Sequence, residues 1–528
     1  MSTTEAVVSH EDWRPKSNRW AIAIVVTVAA FMEVLDTTIV NVSLPHIAGS
    51  LSSSYDDATW ALTSYLVANG IVLPISGWLS DVFGRKRYFM LCIGMFTVCS
   101  LLCGTAESLA ALIFFRLLQG FFGGGLQPSQ QSILLDTFPM SQRARAMAVV
   151  SIATIVAPIL GPTLGGWITD NISWRWVFFL NVPVGIAGLI GVAALVEDPP
   201  WIKERRSHGI DYIGIGLIAV GLGALQMTLD RGQEADWFSS PVIRVSALVA
   251  FVGITGAILW LLSAKRPVVN LFVFADRNFS LSVIMISIMT LLLMASSIVI
   301  PQFAQGVIGY TATQAGLILS PGGLVIIMMI PLTTRIMGMI ETRYLIMVGF
   351  FIIGLSMLYS SRLVPQVSFM NLALMRGFQT LGLAFLFVPI STIAFSSLPR
   401  SAAGDATALY AMFRNVWGSV GISLSTAYIV QRQAYRQSNL APNLSDSNTV
   451  YRDMLARYTA SLHGLGHSVA QAKAMAIGEI YQQLGLQASV LAYGDVYRVA
   501  AGIAFLTVPF TLFYSRGKIS RKGAPAAH

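Results

Sequence analysis

GWLSDVFGRKR, residues 77–87, lies where one long apolar window, 59–80, gives way to the next, 88–106. Gly77 and Gly84 allow a tight turn, and Arg85, Lys86 and Arg87 put a basic cluster on one side of it. Asp81 can bond to arginines or to the positive N-terminal end of a facing helix. Apolar windows of about 20 residues on either side make the passage a turn between two membrane spans.

The rest of the chain agrees. Of its 528 residues 55% are apolar and 11% charged, with a mean hydropathy of +0.67, whereas a soluble domain devotes about a quarter of its residues to charge. The first apolar segment has no small-residue cleavage site after it and follows a polar tail ending in Arg14, Lys16 and Arg19. It reads as a first span with a cytoplasmic anchor, not a removable signal peptide. Cys92, Cys99 and Cys103 fall at helical spacing in one apolar segment and read as packing residues.

Fourteen apolar windows can be drawn, at 20–44, 59–80, 88–106, 109–131, 147–168, 176–196, 212–230, 241–263, 279–302, 313–334, 343–361, 370–396, 406–429 and 495–515. An even number puts both termini on one side. Short loops on that side carry 21 basic residues, against four (Arg175, Arg231, Arg244, Arg362) opposite. The positive-inside rule therefore expects both termini in the cytoplasm. The formal net charge of +9 needs no nucleic-acid partner to explain it. One connection is too long for a connector: 430–494, on the outer side, with apolar residues at helical spacing in 446–461 (Met454, Leu455, Tyr458) and 467–485 (Val469, Ala472, Met475, Ile480, Leu484), which predicts a helical hairpin.

The chain repeats itself at an offset of 260 residues. RLLQGFFGGGLQP at 116–128 has its counterpart in RGFQTLGLAFLFVP at 376–389, and the pair Gly161 and Gly165 in Gly421 and Ser425. The expected architecture is all-α and membrane-embedded, two six-helix repeats with two extra spans between them, as in parallel-repeat transporters. Its units are a cytoplasmic tail (1–19), an N-terminal six-helix bundle (20–196), two additional spans with flanking loops (197–278), a C-terminal six-helix bundle with the hairpin (279–515) and a second cytoplasmic tail (516–528).

Asp36 and Glu33 interrupt the first apolar window, in FMEVLDTTIV at 31–40. Each ionised group at the bilayer centre costs on the order of 3 kcal/mol on insertion scales, so each needs a task or a partner. With Thr37 and Ser43 they share one helix face. Asp36 and Arg116 each lie about four residues to the outer side of their span midpoints, hence at one depth. Two readings stand: Asp36 exchanges protons, with Arg116 its partner and Glu33 a second titratable group, or Asp36 and Arg116 form a permanent structural ion pair. Gln119, Phe121, Gln127, Gln302, Phe413, Arg414 and Asn415 are candidates to line a substrate cavity, although such residues in spans also serve packing. His463 and His467 are four apart, but HGLGH holds two glycines and no carboxylate, so no metal site is expected.

GWLSDVFGRKR resembles the loop signature of the major facilitator superfamily, through Gly77, Leu79, Asp81, Gly84, Arg85, Lys86 and Arg87. Span 5, AVVSIATIVAPILGPTLGGWI, resembles the antiporter signature of that superfamily's drug exporters, with Pro158, Gly161, Pro162, Gly165 and Gly166 present and Ala157 replacing the first glycine. The likeness to the fourteen-span drug:proton antiporters runs through nearly the whole chain, including VLDTTIVNV (34–42) and FFLNVPVG (178–185). It implies export of hydrophobic drug-like compounds across a bacterial inner membrane in exchange for protons, with no cofactor beyond the proton motive force. A periplasmic adaptor and an outer-membrane channel would complete the route. Small residues permit close helix approach, so the expected gate comprises the 77–87 loop and span 5, sealing against the other half. The hairpin would dock the adaptor or cap the cavity mouth. A carrier for one metabolite or siderophore is the rival within the same fold. An enzyme or receptor would need a clustered catalytic or sensing constellation, and the sequence offers none.

Overall fold

The computed structural model describes residues 15–199, 211–265, 267–399 and 402–515. Arg14, Lys203, Arg205, Arg206, Arg266, Arg400, Arg516, Lys518, Arg521 and Lys522, counted above, lie outside the described residues, as does the 516–528 tail. Among the described residues every long element is a helix and there is no strand.

The N-terminal half comprises α1 (Arg19–Ser50), a short α2 (Tyr55–Ala58), α3 (Trp60–Phe83), α4 (Arg85–Gly104), α5 (Leu109–Gly123), α6 (Leu126–Thr137), α7 (Met140–Asn171), α8 (Trp176–Phe179) and α9 (Asn181–Leu195). The pair α10 (Tyr212–Arg231) and α11 (Pro241–Ser263) follows. The second half holds α12 (Arg277–Phe303), α13 (Ala312–Ile336), α14 (Thr342–Ser360), α15 (Phe369–Ala384), α16 (Phe387–Ala394), α17 (Ala403–Leu440), α18 (Thr449–Gly464) and α19 (Val469–Thr507). All fourteen apolar windows sit on these helices. Among the described residues, twelve are long and apolar enough to cross a membrane, or thirteen when the two arms of α7, bent by 42° between Pro158 and Leu160, are joined as one span. The fourteenth window lies on α17, which is long enough but carries Arg414 and Asn415.

Local chemistry sets the ends and breaks. Side chains of Ser108, Asp211, Asp276 and Ser368 accept from the first free backbone N–H groups of α5, α10, α12 and α15, and Thr311 and Ser468 form capping boxes with Gln314 and Gln471. Glycine-rich FFGGG separates α5 from α6, so one span is made of two helices.

Packing repeats twice. In the first half α1 packs on α7, α3 on α5, α4 on α5 and α4 on α9. In the second, α12 packs on α17, α13 on α15, α14 on α15 and α14 on α19. The halves touch through α7 with α13 and α3 with α17, again an exchanged pair, while α10 leans on both α3 and α17. The glycine counterpart does not survive. Gly161 packs against Thr38, but Gly421 packs against Leu291, seven residues before the position that the offset pairs with Thr38, so the two helix pairs cross at different heights.

The hairpin also differs from its expected form. Its arms are not separate helices: α17 runs on to Leu440, and α19 is one helix from Val469 through the last span. Only α18 is added, and it packs along α19. Ala472, Ile480 and Leu484 are buried there, whereas Val469 and Met475, expected in the seam, are 62% and 46% exposed. At its base Asp495 of α19 pairs with Arg432, Arg436 and Arg498 at 2.8–2.9 Å.

Candidate functional site

Asp36 and Arg116 do meet. Arg116 Nη1 donates to Asp36 Oδ2 at 2.5 Å, and both side chains are fully buried. Gln119 Nε2 (3.2 Å) and Asn181 Nδ2 (2.6 Å) donate to Asp36 Oδ1, so the carboxylate has three donors. Arg116 is itself fixed, since its Nε donates to the Ala61 carbonyl (3.1 Å), its Nη1 to Gln119 Oε1 (2.9 Å), and its guanidinium carbon lies 4.1 Å from the Tyr65 ring centroid. This is a charge-balanced pair locked by α3, α5 and α9.

Glu33, one turn away on α1, is bound differently. Gln127 Nε2 (2.5 Å), Asn69 Nδ2 (3.0 Å) and the Tyr65 hydroxyl (3.2 Å) donate to it. All three donors are neutral. A positive charge also reaches it from the other half: Arg414 of α17 is close enough to Glu33 for the two charges to interact. Arg414 is 4% exposed, and neither of its terminal nitrogens makes a hydrogen bond. Asn69, Tyr65 and Asn181 were not singled out from sequence; each polar side chain inside an apolar window was the available signal.

The cavity candidates divide. Gln119 and Gln127 belong to the acid network, and Arg414 stands beside it. Phe121 does not: it is 43% exposed, on the face of α5 that carries Phe114 and Leu117, and Leu117 lines an apolar crevice shared with α3, α10 and α11. Two residues turn a helix by about 200°, so Phe121 faces away from Gln119. Gln302 is exposed near the C-terminal end of α12. Phe413 packs edge-on against Phe274, 5.7 Å between centroids, and Asn415 is half-buried.

The loop candidates sit where the halves close. A Cβ at Gly77 would stand 2.7 Å from the Gly404 carbonyl carbon, and Asp81 Oδ1 lies beside Gly404 at the N-terminus of α17, where a carboxylate meets the positive end of the helix dipole. Gly84 makes the turn with φ of 88°. Arg85 pairs with Asp136 and donates to the Ser132 carbonyl (3.0 Å), both within its own half, and Arg87 is exposed. Ser132 and Thr407 hydroxyls (2.7 Å) and Arg143 with the Phe395 carbonyl (3.2 Å) join the halves at this same end.

Span 5 requires a correction. Gly161 and Gly165 do not seal against the other half: they press on Thr38 and Ile39 of α1, in their own half. Gly166, turned about 100° further round the helix, is the one facing Thr313 of α13, and Gly316 faces Thr163. Pro158 and Pro162 are half-buried.

Two structurally repeated six-span bundles, a close glycine and aspartate contact between them and a buried acid network in the first define a transporter class. Residues 26–422 match the model of the Major Facilitator Superfamily, and the chain belongs to that family. It is a multi-pass membrane transporter, not an enzyme. It is similar to Multidrug export protein EmrB of Haemophilus influenzae, 36% identical over 94% of this chain and 95% of the relative, and to that of Escherichia coli K12, 36% identical over 93% and 94%. A double-tryptophan mutant of XylE shares the fold, with a TM-score of 0.60 at 13% identity, covering 95% of this chain and 97% of that one.

Proposed function

We propose that the protein is a proton-coupled multidrug exporter of the bacterial inner membrane, with both termini and the 77–87 loop in the cytoplasm and Glu33 as the group that loads and unloads the coupling proton. Similarity to multidrug export proteins over nearly the whole chain supports the substrate class. The basic residues in loops on one side support the orientation.

The observation that carries the proton assignment is the all-neutral shell of Glu33 facing Arg414 of the opposite half. Protonating Asp36 would strand the buried charge of Arg116, which cannot lose its proton. Protonating Glu33 strands no partner in its own half, and the Tyr65 hydroxyl can turn to accept the carboxyl proton. Because Arg414 belongs to the other half, the charge on Glu33 bears on how the halves attract each other. Asp36 and Arg116 then act as the fixed pair against which Glu33 works. The test is proton-gradient-driven uptake of a fluorescent hydrophobic dye into inside-out vesicles. E33Q should lose uphill uptake while keeping dye binding, and uphill uptake at the wild-type rate would remove Glu33 from the role.

The hairpin supports a tripartite route, with an EmrA-like periplasmic adaptor and a TolC-like outer-membrane channel. Val469, Ile477 and Tyr481 recur at helical spacing on one face of α19, and all three are exposed. Replacing 440–488 with a short Gly/Ser linker should leave vesicle transport intact but abolish resistance in cells and co-purification with the adaptor. Retained co-purification would contradict docking, and lost vesicle transport would favour a cap over the cavity mouth.

A further inference from the structure

The 260-residue offset, read through the side chains, carries the acid site of the first half onto a site with no acid. Arg116 maps onto Arg376, Gln119 onto Gln379, Ser100 onto Ser360, and Asp36 onto Ser296. The geometry follows the mapping. Arg376 of α15 reaches α12 as Arg116 of α5 reaches α1, its Nη1 donating to Ser296 Oγ (2.9 Å) and its Nη2 to Ser297 Oγ (3.0 Å). Gln379 Nε2 donates to Ser360 Oγ (2.9 Å). Tyr497 of α19 stands beside Arg376, as Asn181 of α9 stands beside the first site.

Arg376 is 1% exposed, and no carboxylate among the described residues pairs with it. Both serine hydroxyls pass their own protons to the Leu293 carbonyl, at 3.0 and 2.8 Å, so they offer dipoles and no charge. Nε of Arg376 donates to nothing, where its counterpart in Arg116 reaches a carbonyl, and the Tyr497 hydroxyl makes no hydrogen bond of ordinary geometry. A guanidinium cannot neutralise itself by losing a proton, and a buried charge without a counter-charge is strongly unfavourable. Ser297 is half-buried.

We propose that a small monovalent anion of the chloride class binds at Arg376 among Ser296, Ser297 and Tyr497, taking the place that the Asp36 carboxylate holds in the first half. The anion needs only N–H and O–H donors and one positive charge: Arg376 supplies the charge and its unpartnered Nε–H, Tyr497 supplies an O–H, and the serine hydroxyls can join them only by turning away from the Leu293 carbonyl. Serine in place of aspartate turns a covalently supplied counter-ion into an exchangeable one.

The test is the thermal unfolding midpoint of the purified full-length protein in detergent, with sodium gluconate replaced stepwise by sodium chloride at fixed ionic strength and no drug present. A ligand that binds only the folded state raises the midpoint with the logarithm of its concentration beyond half-saturation. The wild type should show that rise. S296D, which restores the carboxylate, should give a flat response with a midpoint no lower than that of the chloride-saturated wild type. R376Q should also be flat, and if it does not fold, S296D decides. A flat wild-type response, or an S296D protein that still responds like the wild type, would overturn the proposal.

Discussion

The two arginine sites stand on the same scaffold and differ in what faces the guanidinium. In the first half Arg116 has Asp36, and Glu33 sits one turn away; in the second, Arg376 has two serine hydroxyls and no acid. Duplicated packing thus does not duplicate chemistry. Serine at the position of Asp36, together with leucine at 293 where the offset places the counterpart of Glu33, leaves the site around Arg376 without an acid. Under the proposed coupling, the exchanged proton belongs to the half that keeps the acids, and the other half contributes Arg414 across the interface.

The largest expected effect separates the sites most sharply. D36N should leave Arg116 buried and uncompensated, at a cost of about 3–5 kcal/mol in stability. The double variant D36N/R116M should recover most of that loss, because removing both charges leaves no stranded group. Unfolding midpoints in detergent read both. A D36N protein as stable as the wild type would mean that the first site, like the second, holds its arginine without a carboxylate of the protein.

A smaller effect compares contacts within a half and between halves. Leu at Gly161 must displace Thr38 of the same bundle, so G161L should destabilise the protein by about 1–3 kcal/mol. At Gly166 an added Cβ meets Thr313 of the other half at 3.6 Å and Val42 of α1 at 3.8 Å, both ordinary contact distances, so G166L should cost less in the midpoint than G161L while slowing turnover in vesicles. Equal midpoint losses in the two variants would erase the distinction.

The sequence made the span positions, the common depth of Asp36 and Arg116 and the polar face of α1 legible, because hydropathy and helical period report which face of a helix is polar. They do not report which helix lies opposite. For that reason Asn69, Tyr65 and Asn181 were missed as donors, Gly161 and Gly165 were assigned to the wrong interface, and Phe121 was turned inward when it faces outward. The hairpin failed differently: polar sequence after Ile429 hid the continuation of α17, since a helix leaving the membrane keeps its period but loses its apolar excess.

The central claim is that Glu33, not Asp36, carries the exchanged proton. Its most direct test is proton release from the purified protein in weakly buffered detergent solution on addition of a transported drug, followed with a pH indicator. The account predicts a stoichiometric release from the wild type and none from E33Q, although E33Q still binds the drug. Wild-type release from E33Q would contradict it and return the role to Asp36.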